Sequence, residues 1–218
     1  MKVTLRDDLA RALLSRFRAE EPRPSIHVSD LANPCLRRAY YSKKGLAPAT
    51  DEDLLLWLAG RAHHQLMEGK LREIQLERDG ITGTIDCLDN DTESRVVAEF
   101  KTTRASSTKD VVREYPWWLE QVMSYLRLFG DTRARLYVLF LMGNWKPPTE
   151  PHLKVYEVTF TEKEIADNWA EMCRRRDTLL GSLNGSDPPL GPRQGMEWVC
   201  ERCSIKERCS EDLTKQLW

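Results

Sequence analysis

The chain has 218 residues and a formal net charge of −1, and hydrophobic residues make up 41% and charged residues 31% of it. This length fits one large domain or one domain with an appendage, and the composition is that of an ordinary globular protein rather than a disordered or a membrane chain. The near-neutral charge excludes a diffuse polyanion-binding surface, so any contact with nucleic acid must be local.

Membrane insertion is not expected. The longest apolar stretches, around 54–59 and 136–142, are far shorter than the ~20 residues that cross a bilayer. The N-terminus carries Asp7 and Asp8 where a signal peptide would have its apolar region. We therefore expect a cytoplasmic protein with no membrane partner.

The N-terminal part of the chain is predicted to be helical. An amphipathic helix is expected over about 5–19, and a second helical segment over 29–41 that breaks at Asn33-Pro34, because proline favours the first turn of a helix. A longer helical pattern runs from Asp51 to about Leu76.

From residue 80 the apolar pattern changes to that of β-strands. The odd-numbered positions from Ile81 to Cys87 are apolar or glycine and alternate with threonine and aspartate, and after a polar turn at 89–94 residues 95–102 alternate again. The pattern predicts a β-hairpin.

The elements after the hairpin have clear boundary signals. A helix is expected from Pro116 to Phe129, with Gly130 as its stop, followed by strands at 135–141 and 153–160. A capping box of Thr161 and Glu164 opens a helix that reaches about 183. Residues 184–192 have the composition of a linker.

Three of the six cysteines lie close together near the C-terminus. Cys200, Cys203 and Cys209 have mostly charged neighbours, which is typical of a metal centre rather than of a core. Zinc sites more often combine two C-x2-C pairs, and no second pair exists, so a fourth ligand is expected from a distant position. Cys35 is the best candidate because its setting is polar.

The other two cysteines, Cys87 and Cys173, are interpreted as free buried residues, since the first lies on the apolar face of a predicted strand with Ile85 and the second lies in mid-helix. Four thiolates commonly hold a 4Fe-4S cluster. The spacing favours iron and sulfur, and zinc stays open as the alternative because spacing identifies ligands better than it identifies the metal.

Two carboxylates and a lysine are expected to meet on the hairpin. Asp86 and Glu99 are equidistant from the centre of the turn and therefore face one another across the ladder, and Lys101 lies on the same face as Glu99. Facing carboxylates repel each other unless a cation such as Mg²⁺ or Mn²⁺ lies between them. The pattern indicates a divalent metal site, with a solvated charged strand face as the alternative.

Neighbouring elements carry further candidates. His64 follows Gly60 on the preceding helix, with His63 beside it, and Gln121 and Tyr125 lie at i and i+4 on one face of the helix after the hairpin. Taken separately, the histidine could be a core residue and the other two ordinary helix side chains.

In this order the motifs resemble those of the RecB-like PD-(D/E)xK nucleases that carry an iron-sulfur cluster, and among them the CRISPR-associated exonucleases. The resemblance covers about 29–209. The matching phrases are Ser29-Asp30-Leu31-x-x-x-Cys35-x-Arg37-x-x-Tyr40-Tyr41, Gly60-x-x-x-His64, Gly83-x-Ile85-Asp86, Glu99-x-Lys101, Gln121-x-x-x-Tyr125 and C-x2-C-x5-C from Cys200 to Cys209.

The resemblance implies a restriction-endonuclease-like α/β fold, in which a mixed sheet is flanked by helices and an iron-sulfur domain joins the N- and C-terminal segments. It implies a helical segment at 1–50 that contributes one cluster cysteine, a nuclease core at 51–183 and a C-terminal iron-sulfur segment at 184–218.

The resemblance also implies roles for individual residues. Lys101 would position and activate the attacking water, and Gln121 and Tyr125 would hold the DNA. The implied Mg²⁺ or Mn²⁺ ligands are His64, Asp86, Glu99 and the backbone carbonyl of Phe100, and the implied 4Fe-4S ligands are Cys35, Cys200, Cys203 and Cys209.

The implied substrate is single-stranded DNA or a single-stranded overhang, and the implied role is trimming of prespacers beside the CRISPR integrase proteins. Tyr115, Trp117 and Trp118 could stack on bases, although aromatic residues at a helix start are more often core. Arg104 and Lys109 could contact phosphates or be solvated loop charges. A viral or general recombination exonuclease, a non-catalytic DNA-motif recognition module and a zinc-bound structural adaptor stay open as alternatives.

Overall fold

The computed structural model describes residues 7–15, 23–47, 49–67, 72–90, 95–185, 187–201 and 203–216. Within these ranges five strands form one sheet in sequential order. The pair β3–β4 is parallel and the other pairs are antiparallel, so the sheet is mixed, as predicted. The strands are β1 (Arg72–Arg78), β2 (Ile81–Asn90), β3 (Arg95–Thr103), β4 (Arg133–Phe140) and β5 (His152–Thr159).

Helices flank this sheet. In the described part of the chain they are α1 (Asp7–Ser15), α2 (Val28–Ala32), α3 (Leu36–Lys43), α4 (Asp51–Met67), α5 (Val111–Glu114), α6 (Pro116–Phe129), α7 (Glu162–Asn184) and α8 (Lys206–Gln216), with a 3₁₀ turn at Glu197–Cys200. None of the helices in these ranges is both long and apolar enough to cross a bilayer.

Helix α6 has the predicted bounds because both of its end signals act as expected. Pro116 occupies the first turn, where a missing backbone N–H costs nothing, and Gly130 adopts a left-handed φ of 88° and caps the C-terminus. The buried residues of α6 include Val122, Tyr125 and Leu126. The helix packs against β1 to β4 and α7, which places Gln121 and Tyr125 over the sheet.

The predicted helix from Asp51 to about Leu76 is wrong at its C-terminal end. Helix α4 is described as far as Met67, and residues 72–78 form β1. Ile74 and Leu76 alternate with polar and charged residues, which is a strand period, and they pair with Ile85 and Gly83 of β2. The strand pairing outweighs the helical propensity of this charged segment.

In β2 the alternation of side chains between the two faces of the sheet breaks at Asp86. The prediction that Cys87 lies on the same face as Ile85 is therefore wrong. Ile85 belongs to the large core cluster, whereas Cys87 packs with Phe100 in a small cluster on the other face. In β1 the residue between the partners of Ile85 and Cys87 is Glu73, whose φ is 44°. The β1–β2 register is the same on both sides of this residue, so the irregularity lies in the backbone of β1 and adds no residue to either strand.

The large cluster joins segments from both ends of the chain. It includes Leu31 of α2, Ile85 of β2, Leu126 of α6, Leu136 of β4 and Met172 of α7, all fully buried. Each such side chain stabilises the fold by about 1.5–3 kcal/mol. Residues on both sides of position 50 thus share one core, while the domain bounds at 50 and 183 stay a prediction.

Candidate active site

The described structure brings Asp86, Glu99 and Lys101 together. The β2–β3 ladder ends at the pair of Cys87 and Ala98, and just beyond it the charge of Asp86 acts on the Glu99 carboxyl group. The Asp86 Oδ2 atom accepts a hydrogen bond of 2.8 Å from the backbone N–H of Phe100. This bond holds the Asp86 carboxylate next to Glu99 and Lys101 on β3.

Glu99 is an enclosed carboxyl group with only 2% of its surface exposed. Its Oε1 atom accepts a hydrogen bond of 2.5 Å from Lys101 Nζ, and its Oε2 atom is buried without a hydrogen-bond partner among the described residues. Burial, and then the charge of Asp86, raise the pKa of Glu99 to about 8, and the Lys101 charge opposes this rise. A buried oxygen with no partner is costly, so this atom is ready for a cation.

A chain of hydrogen bonds links the lysine to α6. Lys101 Nζ donates to Gln121 Oε1 over 2.8 Å, and Gln121 Nε2 donates to the Tyr125 hydroxyl oxygen over 2.7 Å. Burial, and then the charge of Glu99, raise the pKa of Tyr125 well above its ordinary value, so the side chain stays a neutral phenol. The tyrosine thereby sets the orientation of the Gln121 amide, and the amide holds the lysine.

Two expected metal ligands are less completely described. The backbone of His64 lies in α4, which packs against β3, while its side chain and that of His63 lie outside the described residues. The ring of Phe100 stacks on Tyr137 with ring centroids 4.7 Å apart, on the sheet face opposite Glu99. The role expected of the Phe100 carbonyl stays a prediction.

The four cysteines expected to bind a cluster lie at one end of the molecule. Cys35, Cys200 and Cys203 line a cavity of about 450 Å³, and Cys209 Sγ accepts a hydrogen bond of 3.5 Å from Arg37 Nη1. Burial raises the pKa of the Cys35 and Cys200 thiols, and the charges of neighbouring cysteines raise them further.

The remaining two cysteines lie elsewhere. Cys87 is buried in the sheet and Cys173 packs from α7 against the large core. Cys87 is buried as expected, whereas Cys173 is only half-buried, and none of the six cysteines forms a disulfide bond.

The aromatic residues before Gln121 pack mostly against one another. Tyr115 stacks on Trp118 at 4.2 Å and meets Trp117 edge-on at 5.4 Å, so these faces serve packing, which favours the core interpretation over base stacking. The most exposed indoles are those of Trp57, Trp145 and Trp198, and the sequence motifs pointed to none of them. For Trp145 a signal was present, because a large aromatic residue in a turn rich in glycine, asparagine and proline is a loop-borne candidate for binding.

The basic residues after β3 have acidic partners. Arg104 forms an ion pair with Glu52, and Lys109 Nζ lies 3.2 Å from Glu114 Oε2. All four side chains are substantially exposed, and such pairs stabilise a protein by about 1 kcal/mol at most. A phosphate could therefore replace either acidic partner at small cost.

Comparison with known proteins identifies the family of the chain. The sequence matches the family model of the PD-(D/E)XK nuclease superfamily over residues 5–210. The chain belongs to this superfamily. A search of curated proteins finds no match.

A solved structure shares the fold of this chain over most of its length. The crystal structure of SSO0001 superposes with a TM-score of 0.56 at 19% identity, covering 94% of this chain and 95% of that one. An alkaline exonuclease, LHK-Exo, from Laribacter hongkongensis has a TM-score of 0.47 at 11% identity, with 78% and 94% covered. The first likeness supports the shared fold.

The carboxylates of this PD-(D/E)XK nuclease fit a divalent cation. No group of three or more His, Cys, Asp or Glu side chains is preassembled as a metal site within the described ranges. Mg²⁺, however, is usually held by one or two carboxylates together with waters and substrate phosphates. Asp86 with Glu99 provides such a pair, and a cation there would offset the charge repulsion that raises the pKa of Glu99.

Proposed function

We propose that this chain is a divalent-metal-dependent DNA exonuclease that cleaves single-stranded DNA or single-stranded overhangs. The observation that carries the proposal is the buried Glu99 carboxyl group, which lies beside Asp86, is bonded to Lys101 and has one oxygen without a hydrogen-bond partner among the described residues. A solvated strand face would leave these groups exposed to water, and it would give no reason for the burial of Glu99.

Asp86 and Glu99 would hold Mg²⁺ or Mn²⁺, and the family resemblance adds His64 and the Phe100 carbonyl to the ligand set. When bound, the ion supplies Lewis-acid polarisation of the phosphodiester and neutralises its charge. Asp86 is itself fixed by the Phe100 backbone N–H, so the carboxylate is preorganised and loses little freedom when it binds.

Lys101 is the residue proposed to act on the water and the phosphate. Two of its three N–H donors are directed at Glu99 and Gln121, and the side chain keeps 18% of its surface exposed. The remaining donor is available to a substrate oxygen, where the lysine charge would stabilise the pentavalent transition state. Gln121, fixed by Tyr125, maintains this orientation and would contact the DNA.

Cleavage of end-labelled single strands in Mn²⁺ tests the proposal. Asp86→Ala removes a metal ligand and Lys101→Ala removes the positioned cation, and we expect each to lower the rate by about 10²-fold or more, the usual effect of removing one transition-state contact. Lys163→Ala, which removes an exposed lysine from α7, is the matched control and should cleave at the wild-type rate. Full activity in either Asp86→Ala or Lys101→Ala would contradict the site.

The second part of the proposal is a 4Fe-4S cluster bound by Cys35, Cys200, Cys203 and Cys209. It is supported by the shared cavity of Cys35, Cys200 and Cys203 and by the four-thiolate ligand set that such clusters use. Zinc is the competing metal, because it also accepts four thiolates.

The cellular part of the proposal is the trimming of prespacer overhangs beside the CRISPR integrase proteins, and it rests on the sequence resemblance over 29–209. On a duplex with single-stranded overhangs we expect removal of the overhangs and arrest near the duplex end. Continued degradation through the duplex would favour the recombination-exonuclease alternative instead.

A further inference from the structure

A second binding element lies next to the catalytic strand. Two cavities meet there: a larger one of about 1090 Å³, and a smaller one of about 410 Å³ whose lining includes Thr102 and Thr103. These threonines directly follow Lys101 in β3, so the smaller cavity begins where the proposed catalytic residues end. Leu56, Arg104 and Trp145 line both cavities and therefore stand at their junction.

Trp145 is held in place while its ring stays accessible. Its indole N–H donates a hydrogen bond of 2.8 Å to the backbone carbonyl of Arg104, and its backbone N–H donates to the Met142 carbonyl over 2.9 Å. Even so, 61% of the residue is exposed. The one polar atom of the ring is satisfied by protein, which leaves its apolar faces for another planar group.

The backbone at Trp145 supports a binding role. Its φ is 66°, in the left-handed region that bulky residues rarely adopt and that costs on the order of 1–2 kcal/mol. The surrounding loop is pinned, since Ser107 donates its backbone N–H to the Gly143 carbonyl over 2.7 Å and its hydroxyl lies 2.8 Å from His152 Nδ1. A strained, exposed and immobilised tryptophan contributes little to the fold in this position.

The charges around the junction indicate which part of a nucleotide it would receive. The larger cavity is lined by Glu52, Asp53 and Glu201, which repel a phosphate but not the face of a base. Arg104 lies at the junction, and its ion pair with Glu52 is exposed at 51% and 66% of the two side chains, so it can exchange to a phosphate at small cost.

From this arrangement we propose that Trp145 is a base-stacking residue for one unpaired nucleotide next to the scissile phosphate, with Arg104 contacting its backbone. The inference rests on the proposed nuclease function and deepens it. A base offers its face to an indole only when it is unstacked from its neighbours, so this contact selects single strands over duplex. Stacking of this kind contributes about 1–3 kcal/mol per base, or roughly 5- to 150-fold in affinity.

Binding of a short unpaired oligonucleotide without added divalent ion separates this inference from cleavage. We expect Trp145→Ala to weaken binding by about tenfold and Trp145→Phe, which keeps an aromatic face, to stay within about threefold of the wild type. Trp57→Ala is the matched control, because Trp57 is 60% exposed on α4 and lines neither cavity, and it should bind as the wild type.

An abasic scan sharpens the test. Single abasic nucleotides are placed in turn along the oligonucleotide. The wild type should bind more weakly when one particular position is abasic, whereas the affinity of Trp145→Ala should not change at that position. Such a difference would show that the base and the indole are energetically coupled. Absence of any sensitive position in the wild type would overturn the inference even if Trp145→Ala failed to fold, and so would wild-type binding by Trp145→Ala. If the wild type did not cleave DNA in the presence of Mn²⁺, that result would instead contradict the proposed nuclease function.

Discussion

Glu99 carries a carboxyl group that the protein encloses beside a second one. Burial and the Asp86 charge both favour its protonated form, and Lys101 only partly compensates. Such a group is poorly arranged for a metal-free protein and well arranged for one that binds a cation, because the cation removes both unfavourable contributions. The residue therefore links pH, metal binding and stability.

The metal-free protein is expected to lose stability as the pH rises through the raised pKa of Glu99. Its ordinary pKa is 4.5 and its folded pKa is about 8, so between these values the folded state binds more protons than the unfolded state and the free energy of unfolding falls with increasing pH. Glu99→Gln removes this titration. With chelator present, urea unfolding should show the variant gaining on the order of 2 kcal/mol over the wild type between pH 5 and pH 8.

Two comparisons check the origin of this effect. Glu77→Gln, the same change at an exposed position of β1, should leave the pH dependence unchanged. Excess Mn²⁺ at pH 8 should stabilise the wild type by about 2.7 kcal/mol at a hundredfold excess over the dissociation constant and should not stabilise Glu99→Gln. A wild-type stability that is flat from pH 5 to pH 8 would show that Glu99 titrates near its ordinary pKa.

At the scale of elements, the sequence predicts best where local signals and tertiary contacts agree. The bounds of α6 were predicted correctly because Pro116 and Gly130 act within the helix itself. The hairpin was also predicted, since a period of two is a local property. Strand β1 was missed because its charged residues have high helical propensity and its strand character comes from pairing with β2.

The candidate site shows the same division. The facing positions of Asp86 and Glu99 follow from the hairpin centre, and the i, i+4 spacing of Gln121 and Tyr125 follows from helix geometry. The burial of Glu99 depends on tertiary packing, and the break of alternation at Asp86 departs from the regular period of two, so neither could be read from the sequence pattern. Trp145 was missed for a related reason, because exposure of a loop residue is decided by the loops around it.

The close approach of α6 to β2 is expected to be essential for the site. A Cβ atom added at Gly83 would lie 2.3 Å from Leu128 Cδ1 and 3.2 Å from the Tyr125 ring. Gly83→Ala should therefore displace the Leu128 side chain and press on the Tyr125 ring, destabilise the fold by about 1–3 kcal/mol and lower the cleavage rate, since Tyr125 orients Gln121 and Gln121 holds Lys101. Chemical unfolding and the cleavage assay measure the two effects.

Gly181→Ala provides the matched control for this change. Gly181 lies within α7, and a Cβ there meets nothing within 4 Å. Alanine in a helix interior is favoured over glycine by up to about 1 kcal/mol, so this variant should be as stable as the wild type or more stable, with unchanged cleavage. Equal behaviour of the two alanine variants would mean that α6 tolerates displacement from β2.

At the scale of the whole molecule, the N-terminal helix α3 contacts the C-terminal segment that follows α7. Arg37 Nε donates a hydrogen bond of 2.7 Å to the Pro189 carbonyl, and the Tyr41 hydroxyl donates to Asp212. Cys35 forms an isolated antiparallel bridge with Pro192. The cysteine spacing in the sequence predicted which segments would meet, but these polar contacts, which join the segments without any metal, could not be read from it.

A cluster at this junction would add bonds to contacts that already exist, so its removal is expected to loosen the C-terminal segment without unfolding the sheet. Protein purified without oxygen should contain about four irons and matching sulfide per chain. Cys203→Ser should lose them, and Cys173→Ser should retain them because Cys173 packs in the core from α7.

Limited proteolysis measures the loosening. Cleavage within 187–216 should be about tenfold faster in Cys203→Ser than in Cys173→Ser, which corresponds to about 1.4 kcal/mol in the free energy of local opening, while the fragment that contains β1 to β5 stays intact. If metal analysis of the wild type found zinc instead of iron, the proposed 4Fe-4S cluster would be wrong and the four cysteines would form a zinc site. Full iron content in Cys203→Ser would remove this cysteine from the ligand set.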